Sequence, residues 1–354
     1  MASQSRRAAR DAETHPRLAR WFGDDPSDPG RMSLHNPAVR RLATAIAPGS
    51  QPTDLGGVMS LNIGLEPAGL VLRVHQRFVS RGRLLAVGEV RRRLDRAGLV
   101  VPVPVSWRGT TVFHCATRWA ELEKHVPHQR LAPSIESYHW LFEALGTLHR
   151  ALSPIALAVP RPVVATHATP DTLRRWLAVT AAAVAANAEA AAIAGLCREL
   201  VSRLTRQWVP GRLLPAQLVH GDFRLSNAGR RPDGATVYLD FGFLAHRPRV
   251  HDLAYALAFM LLALGGNQAS DDTGWESVGE LIERYQAAAG QRLTPLERAA
   301  LASYAAAVPL YHAAIAGFAG DPGAQLWAKL PFVRIAERLL ELSERVGSVS
   351  EVDP

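Results

Sequence analysis

The stretch His220-Gly221-Asp222-Phe223-Arg224-Leu225-Ser226-Asn227, followed by Asp240-Phe241-Gly242, carries the most information in this chain. It places one carboxylate on a tight loop, one amide five residues later, and a second carboxylate thirteen residues after the amide. Phosphoryl transfer uses such groups, because a carboxylate accepts the proton of the attacking hydroxyl while an Asn and an Asp hold the Mg²⁺ that bridges the phosphates. Magnesium takes hard oxygen ligands and only one or two protein carboxylates. The two stretches therefore predict a phosphoryl-transfer centre.

A short apolar run precedes each stretch. Leu218-Val219 and Val237-Tyr238-Leu239 predict strands, and Pro232-Asp233-Gly234 predicts the turn that joins them. Such a hairpin would bring the two carboxylates and the amide to one end of a sheet. Taken singly, Asp222 and Asn227 are also ordinary turn residues. Only the whole combination favours a functional interpretation.

The motif resembles that of a known enzyme family. Protein kinases have His-Arg-Asp at this place, then Asn and Asp-Phe-Gly, whereas Gly221 replaces the Arg here. His-Gly-Asp is similar to the motif of aminoglycoside phosphotransferases and related choline, homoserine and other small-molecule kinases, and Asp252-Leu253-Ala254 resembles their Asp-Leu-Ala helix start. The resemblance covers about residues 50 to 345. It implies that Asp222 is the catalytic base, that Asn227 and Asp240 are magnesium ligands, and that Asp252 holds the catalytic loop.

The resemblance implies an α+β, protein-kinase-like two-lobed fold with a small β-rich N-lobe and a mostly helical C-lobe. We expect residues 1–50 to form a tail and a helix, 51–127 the nucleotide-binding N-lobe and hinge, and 128–354 the helical C-lobe with the catalytic loop and substrate pocket. The expected co-substrate is ATP, with GTP as the alternative, and the expected acceptor is a small-molecule hydroxyl.

Local patterns predict the elements of the N-lobe. Asn36-Pro37 begins a helix, with Asn as the cap and Pro at the first helical position, and Ala47-Pro48-Gly49 ends it. Apolar positions recur at helical spacing from Leu84 to Leu99. Predicted strands cover Val58 to Ile63, Leu70 to Val74, Thr110 to Phe113 and Trp119 to Val126.

Helix signals dominate the rest of the chain. Pro133-Ser134 begins a helix through Leu152, and Thr169-Pro170 begins another that is broken within Ala181 to Ala194. Thr273-x-x-Glu276 and Thr294-x-x-Glu297 each match a capping box. Pro309 lies inside the second of these helices, so we expect it to kink or end that helix.

Candidate nucleotide-binding residues lie in the N-lobe. The segment Gly56-Gly57-Val58-Met59-Ser60 resembles the family's phosphate-covering loop, which makes Gly57 and Ser60 candidates, although the glycine pattern is incomplete and a plain turn is the alternative. Arg73 stands where protein kinases have the phosphate-binding Lys, and a guanidinium suits phosphate oxygens. Glu89 lies on the next helix as the expected partner of Arg73, unless it only balances Arg92 or Arg93.

The segment Glu121 to Pro127 occupies the position of the hinge. In the family, backbone groups there bind the adenine edge. Glu123 and His125 are therefore candidates by position alone.

The composition limits which partners and which cellular location fit the sequence. The net charge is +8, and residues 1–209 hold 27 Lys and Arg against 16 Asp and Glu, whereas residues 210–354 hold 13 against 16. A basic N-terminal half suits a nucleoside triphosphate, and no basic run interleaved with aromatic residues predicts a nucleic-acid partner. No apolar run is long enough to predict a membrane span. Cys115 and Cys197 are far apart and no signal segment is evident, so we expect a cytoplasmic protein.

The acceptor and the oligomeric state stay open. A polycationic aminoglycoside needs several carboxylates, and the densest acidic cluster consists of Asp271, Asp272, Glu276, Glu280 and Glu283. An antibiotic of another class, an amino alcohol or a sugar fits the sequence equally well. The alternative functions are a pseudokinase or nucleotide-binding regulatory protein of the same fold, a protein kinase, and a nucleic-acid-binding module.

Overall fold

The computed structural model describes residues 31–57, 59–162, 166–265 and 277–349, which form two compact units. Unit 1 consists of the described residues of Met1–His128, Leu157–Val164 and Arg231–Gly242. Unit 2 consists of those of Gln129–Ala156, Ala165–Arg230 and Phe243–Pro354. Unit 1 is built around a sheet and unit 2 around helices, which confirms the predicted α+β class.

Unit 1 contains an antiparallel sheet in which the strands lie in the order β1-β2-β3-β6-β4, with β5 paired to β6. Four of the strands were predicted, β3 with both ends correct and β2, β5 and β6 with ends displaced by a few residues, and Val58 lies outside the described residues. β1 was missed, because its sequence Gln-Pro-Thr-Asp is mostly exposed and has no apolar alternation. The bounds are β1 Gln51–Asp54, β2 Leu61–Glu66, β3 Leu70–Val74, β4 Pro104–Val105, β5 Val112–Cys115 and β6 Arg118–Lys124.

Two helices accompany this sheet, α1 Pro37–Ile46 and α2 Arg81–Arg96. The predicted start of α1 is confirmed: Asn36 caps it by accepting a hydrogen bond from the Ala38 N–H at 2.9 Å. Val39 of α1 packs into the same core as the buried side of β2. The sheet register places Arg73 of β3 directly opposite Glu121 of β6.

Unit 2 is dominated by helices, and several predicted boundaries are confirmed. Ser134 caps α3, and the alanine-rich segment is broken where Asn187 caps α5. Thr294 and Glu297 form the predicted capping box of α8, whereas Thr273 and Glu276 lie outside the described residues. The bounds are α3 Ile135–Leu152, α4 Pro170–Ala183, α5 Ala188–Gln207, α6 Val250–Leu264, α7 Val278–Ala289, α8 Pro295–Ala314, α9 Pro322–Ala328 and α10 Leu330–Val349.

Helix α8 continues past Pro309 to Ala314, so Pro309 does not end it. Proline removes one intrahelical hydrogen bond, but α8 is buried along most of its length and packs against α5, α6 and α10. Tertiary packing therefore outweighs the local cost. The segment Pro295–Phe318 is long and apolar enough to cross a membrane, but 89% of its apolar window is buried inside the fold, as in a core helix.

The strand before the catalytic motif, β7 Ala216–Val219, pairs antiparallel with β10 Ala245–Pro248. The predicted hairpin between the two apolar runs is therefore wrong. The sequence of β10, Ala-His-Arg-Pro, has little apolar alternation, so its pairing had no strong local signal. The remaining short strands are β8 Ala228–Arg230 and β9 Thr236–Tyr238.

Candidate active site

The catalytic motif follows β7 and contains Gly221, which no other residue could replace unless neighbouring atoms moved. Gly221 has φ +84°, a conformation that costs L-residues about 1–2 kcal/mol. A Cβ atom there would lie 2.5 Å from the backbone oxygen of Phe243. Both observations explain why this chain has Gly where protein kinases have Arg.

Asp252, in the first turn of α6, holds the loop. Its carboxylate accepts hydrogen bonds from the backbone N–H groups of His220 at 2.7 Å and Gly221 at 2.8 Å, and its Oδ2 lies 3.1 Å from His149 Nε2. Asp252 is fully buried. Burial raises the pKa of its carboxyl, but the hydrogen bond and charge of His149 outweigh that effect and lower the pKa to about 2. The role that the resemblance implied for Asp252 is confirmed.

Asp222 and Asn227 lie together inside unit 2. The Asn227 Nδ2 group donates to the Asp222 backbone oxygen at 2.7 Å and to Asp222 Oδ2 at 2.9 Å, across one turn of 3₁₀ helix. Arg224 Nε lies 3.2 Å from Asp222 Oδ1. Tyr255 of α6 also hydrogen-bonds Asp222; burial and that carboxylate together raise the pKa of Tyr255 well above its usual value. The carboxylate predicted as the base is thus held from several sides.

Asp240 belongs to unit 1, where it contacts Arg73 of β3. The Arg73 Nη2 atom donates to Asp240 Oδ1 at 2.6 Å. Asp240 has φ +55°, an uncommon conformation for a non-glycine residue. Arg83 of α2 holds the next turn by donating to the Gly242 backbone oxygen at 2.6 Å. The structure therefore brings Arg73 and Asp240 together, a contact that the sequence did not predict.

The predicted ion pair between Arg73 and Glu89 is wrong. Glu89 accepts from Arg92 at 3.1 Å and from Arg93 at 3.0 Å, on the same helix. Spacings of three and four residues along a helix bring these side chains together without any tertiary contact. The adjacent arginines in the sequence were the signal for this outcome.

A buried charge network takes the place of that pair. Arg91 of α2 donates to Glu121 Oε2 and to Glu123 Oε2, both at 2.6 Å, and each carboxylate lies on β6. Burial alone would lower the pKa of Arg73, but the carboxylates of Asp240, Glu123 and Glu121 raise it. The sequence does not single out Arg91, because a helix rich in arginine gives no sign of which arginine points inward.

Gly57 and Ser60 lie in the loop between β1 and β2, before the start of β2 at Leu61. Gly57 has φ +108°, and a Cβ there would lie 2.6 Å from Asn62 Nδ2. The Asn62 amide also donates to the Gly56 backbone oxygen at 2.9 Å. Ser60 is almost buried, with its Oγ 3.4 Å from His75 Nδ1. The nucleotide role of Gly57 and Ser60 stays a prediction.

Glu123 and His125 differ in environment. The Glu123 side chain is buried against Arg91, and burial raises the pKa of its carboxyl. The exposed side chain of His125 lies 3.2 Å from Glu66 Oε1, and its backbone N–H donates to the Gly69 oxygen at 2.9 Å. His125 also lines a cavity of about 570 Å³ in unit 1. Their proposed contact with adenine stays a prediction.

Asn227 and Asp240 suit Mg²⁺ by their donor chemistry. Both hydrogen bonds of the Asn227 amide nitrogen go to Asp222, so its Oδ1, which has a 3.4 Å contact from Ser226, is the atom suited to a metal. Asp240 offers a carboxylate that is 40% exposed. Across the described ranges no group of three or more His, Cys, Asp or Glu could hold a metal. Mg²⁺ does not need such a cluster, because it usually binds one or two carboxylates and takes its remaining ligands from water and substrate phosphates.

Comparisons with known proteins identify the family and the fold. The model of the phosphotransferase enzyme family matches residues 62–301. A microcompartment-associated aminopropanol kinase is similar with a TM-score of 0.66 and 17% identity, covering 89% of this chain and 99% of that one. Amicoumacin kinase, solved with AMP-PNP and Ca²⁺, is similar with a TM-score of 0.59 and 15% identity, covering 87% of this chain and 94% of that one. A putative aminoglycoside phosphotransferase from Ralstonia eutropha is similar with a TM-score of 0.55 and 13% identity, covering 86% of this chain and 97% of that one. None of the curated proteins matches the chain.

The chain belongs to the phosphotransferase enzyme family, since the family model covers more than half of it. The predicted protein-kinase-like fold, with its β-rich N-lobe and helical C-lobe, is confirmed. The protein is therefore a phosphotransferase, and one of its structural neighbours was solved with the ATP analogue AMP-PNP.

Proposed function

We propose that the protein is a Mg²⁺-dependent kinase that transfers the terminal phosphoryl group of ATP to a small-molecule hydroxyl, with Asp222 as the base. The observation that supports this most is the construction of the loop: Asp252 fixes its backbone, and Asn227 fixes the Asp222 carboxylate. A side chain held in this way can orient a hydroxyl and accept its proton without first reorganising.

Asn227 and Asp240 would hold the metal, and Arg73 would contact the nucleotide phosphates. Bound Mg²⁺ would neutralise charge on the phosphate oxygens. The order of the motif supports the assignment of both ligands to one ion. Arg73 supports the assignment from within unit 1, because its guanidinium already binds the Asp240 carboxylate. ATP is favoured over GTP only by family membership.

A pseudokinase is the alternative function. It is favoured by the incomplete glycine pattern of the loop that contains Gly57 and by Arg73 in place of Lys. The intact Asp222, Asn227 and Asp240 favour catalysis. Binding of nucleotide without any turnover would select the alternative.

The charges near Asp222 disfavour an acceptor that carries many positive charges. Arg224 lies against Asp222 and over the ring of Phe259, at 5.0 Å from its centroid. Lys329 and Arg224 add to the burial that lowers the pKa of His312 to about 3. A polycationic aminoglycoside would be repelled by these cations.

The acidic cluster predicted for such a substrate offers little compensation. Glu280 is bound by Arg284 at 3.0 Å, and Glu283 accepts from Gln286 at 3.1 Å. The other members of the cluster, Asp271, Asp272 and Glu276, lie outside the described residues. We therefore propose a sugar, an amino alcohol or a related natural product that carries few positive charges.

The decisive experiment measures acceptor-dependent ATP consumption in a screen of sugars, sugar acids, amino alcohols and aminoglycosides, and then repeats the best reaction with Asp222→Asn. We expect the variant to lose about 10²–10⁴-fold in kcat, while calorimetry shows unchanged affinity for Mg²⁺ with ATP. The matched control is Asp233→Asn, on the exposed turn before β9. Full activity in Asp222→Asn would refute the assignment of the base.

A further inference from the structure

We infer that Arg91 is a positioning residue for the nucleotide and acts through Glu121 and Glu123 on Arg73. This inference rests on the proposed function, because it assumes that Arg73 contacts phosphate. Protein kinases pair a strand Lys with a helix Glu. Here the charges are exchanged: the helix supplies the cation Arg91, and the strand beside Arg73 supplies the carboxylates.

The contacts of Arg91 are buried and directional. Arg91 is 2% exposed, and its two Nη atoms each bind a different carboxylate at 2.6 Å. Its Nη1 atom also donates to the Pro102 backbone oxygen at 3.1 Å. A planar guanidinium can bind two carboxylates at once, whereas an ammonium cannot reproduce this fork. The position therefore requires Arg, and another positively charged side chain such as Lys would not replace it fully.

Glu121 connects this fork to two residues of the nucleotide side. Its Cα is the cross-strand partner of Arg73, and its Oε1 lies 3.2 Å from His75 Nε2. His75 Nδ1 in turn lies 3.4 Å from Ser60 Oγ, at the end of the loop that contains Gly57. One buried carboxylate thus faces both the phosphate-binding candidate and the loop candidate.

The charge balance shows what Arg91 does for Arg73. The network holds two guanidiniums, Arg73 and Arg91, and the carboxylates of Glu121, Glu123 and Asp240. Without Arg91, the carboxylates of β6 would have Arg73 as the remaining guanidinium of this network, beside the contact of Glu121 with the His75 ring. They would then compete with nucleotide phosphates for the Arg73 guanidinium. Arg91 keeps Arg73 available.

The test measures binding of AMP-PNP with Mg²⁺ by calorimetry, and thermal unfolding without ligand, for Arg91→Met and Arg91→Lys. We expect Arg91→Met to raise Kd roughly 10- to 100-fold, as is usual when a group that orients a ligand-binding residue is removed. Arg91→Lys should lie between Arg91→Met and the wild type. The matched control is Arg92→Met, the next residue of α2, whose half-exposed side chain pairs with Glu89; its Kd should not change.

Wild-type affinity in folded Arg91→Met would overturn the inference. If Arg91→Met does not fold, Arg91→Lys with wild-type affinity would overturn it equally. A wild-type protein that binds no nucleotide would instead refute the proposed function itself.

Discussion

Two glycines with the same backbone conformation show how one residue constrains the catalytic loop. Gly221 and Gly234 both have φ +84°, but a Cβ at Gly234 would meet no atom within 4 Å, whereas a Cβ at Gly221 would lie 2.5 Å from the Phe243 oxygen. A substitution would therefore have the same conformational cost at both positions, but only at Gly221 would it also make the close contact.

We expect Gly234→Ala to lower the free energy of unfolding by about 1 kcal/mol, from the left-handed conformation alone. Gly221→Ala should cost at least about 2 kcal/mol more, because backbone must move, and should also reduce kcat by displacing Asp222. Urea unfolding of both variants, with turnover of the best acceptor, measures the difference. Equal stability of the two variants would contradict the role given to the close contact.

The sequence could predict residue types at this scale better than residue partners. Asp222, Asn227, Asp240 and Arg73 follow from motif positions, but the partner of Arg73 did not, because the Arg73–Asp240 contact joins residues 167 positions apart. The predicted pairing of Glu89 with Arg73 was wrong because it, too, required a partner distant from the helix. Local helical neighbours were visible in the sequence, and the inward-pointing Arg91 was not.

At the scale of elements, the first turn of α6 links fold stability to the catalytic loop. The lowered pKa of Asp252, about 2 against an ordinary 3.8, means that the folded state prefers the ionised carboxylate. This stabilisation is complete above about pH 4 and is lost as the pH falls toward 2, a contribution of about 2 kcal/mol. The contribution comes from hydrogen bonds that hold His220 and Gly221 in place.

We expect Asp252→Asn to lower the free energy of unfolding by about 3 kcal/mol near neutral pH, since an amide cannot replace a carboxylate that accepts several hydrogen bonds. The variant should also lose the acid dependence between pH 4 and 2. Urea unfolding across that range measures both effects, with Asp171→Asn, exposed in the first turn of α4, as the control. An unchanged acid dependence in Asp252→Asn would show that another group titrates there.

Elements with a local chemical signal were predictable, and those determined by tertiary packing were not. Helix starts at Asn36, Ser134 and Thr294 follow from capping residues that satisfy free N–H groups. The continuation of α8 through Pro309 and the pairing of β7 with β10 depend on distant partners. No window of sequence contains that information.

At the scale of the whole molecule, stability should depend on three histidines of unit 2, the buried His251 and the half-buried His167 and His312. Burial lowers the pKa of His167 well below its usual value, that of His251 to about 4 and that of His312 to about 3. The folded state therefore keeps these rings neutral, whereas the unfolded chain takes up protons below about pH 6.5. A lowered folded pKa means that the stabilisation is complete above pH 6.5 and is lost as the pH falls toward 4.

We expect the free energy of unfolding to fall by about 2 kcal/mol between about pH 7 and pH 5 from His251 alone, with His167 and His312 adding to it. His251→Gln keeps a group that can accept from Arg247, now 3.2 Å from the ring nitrogen, but it cannot take up a proton. Its urea-unfolding free energy should therefore depend less on pH than that of the wild type. His246→Gln, at an exposed position of β10, should keep the wild-type dependence. If both variants follow the wild-type curve, His251 is not the group whose protonation destabilises the fold, and the loss of stability in mild acid must come from the other two histidines.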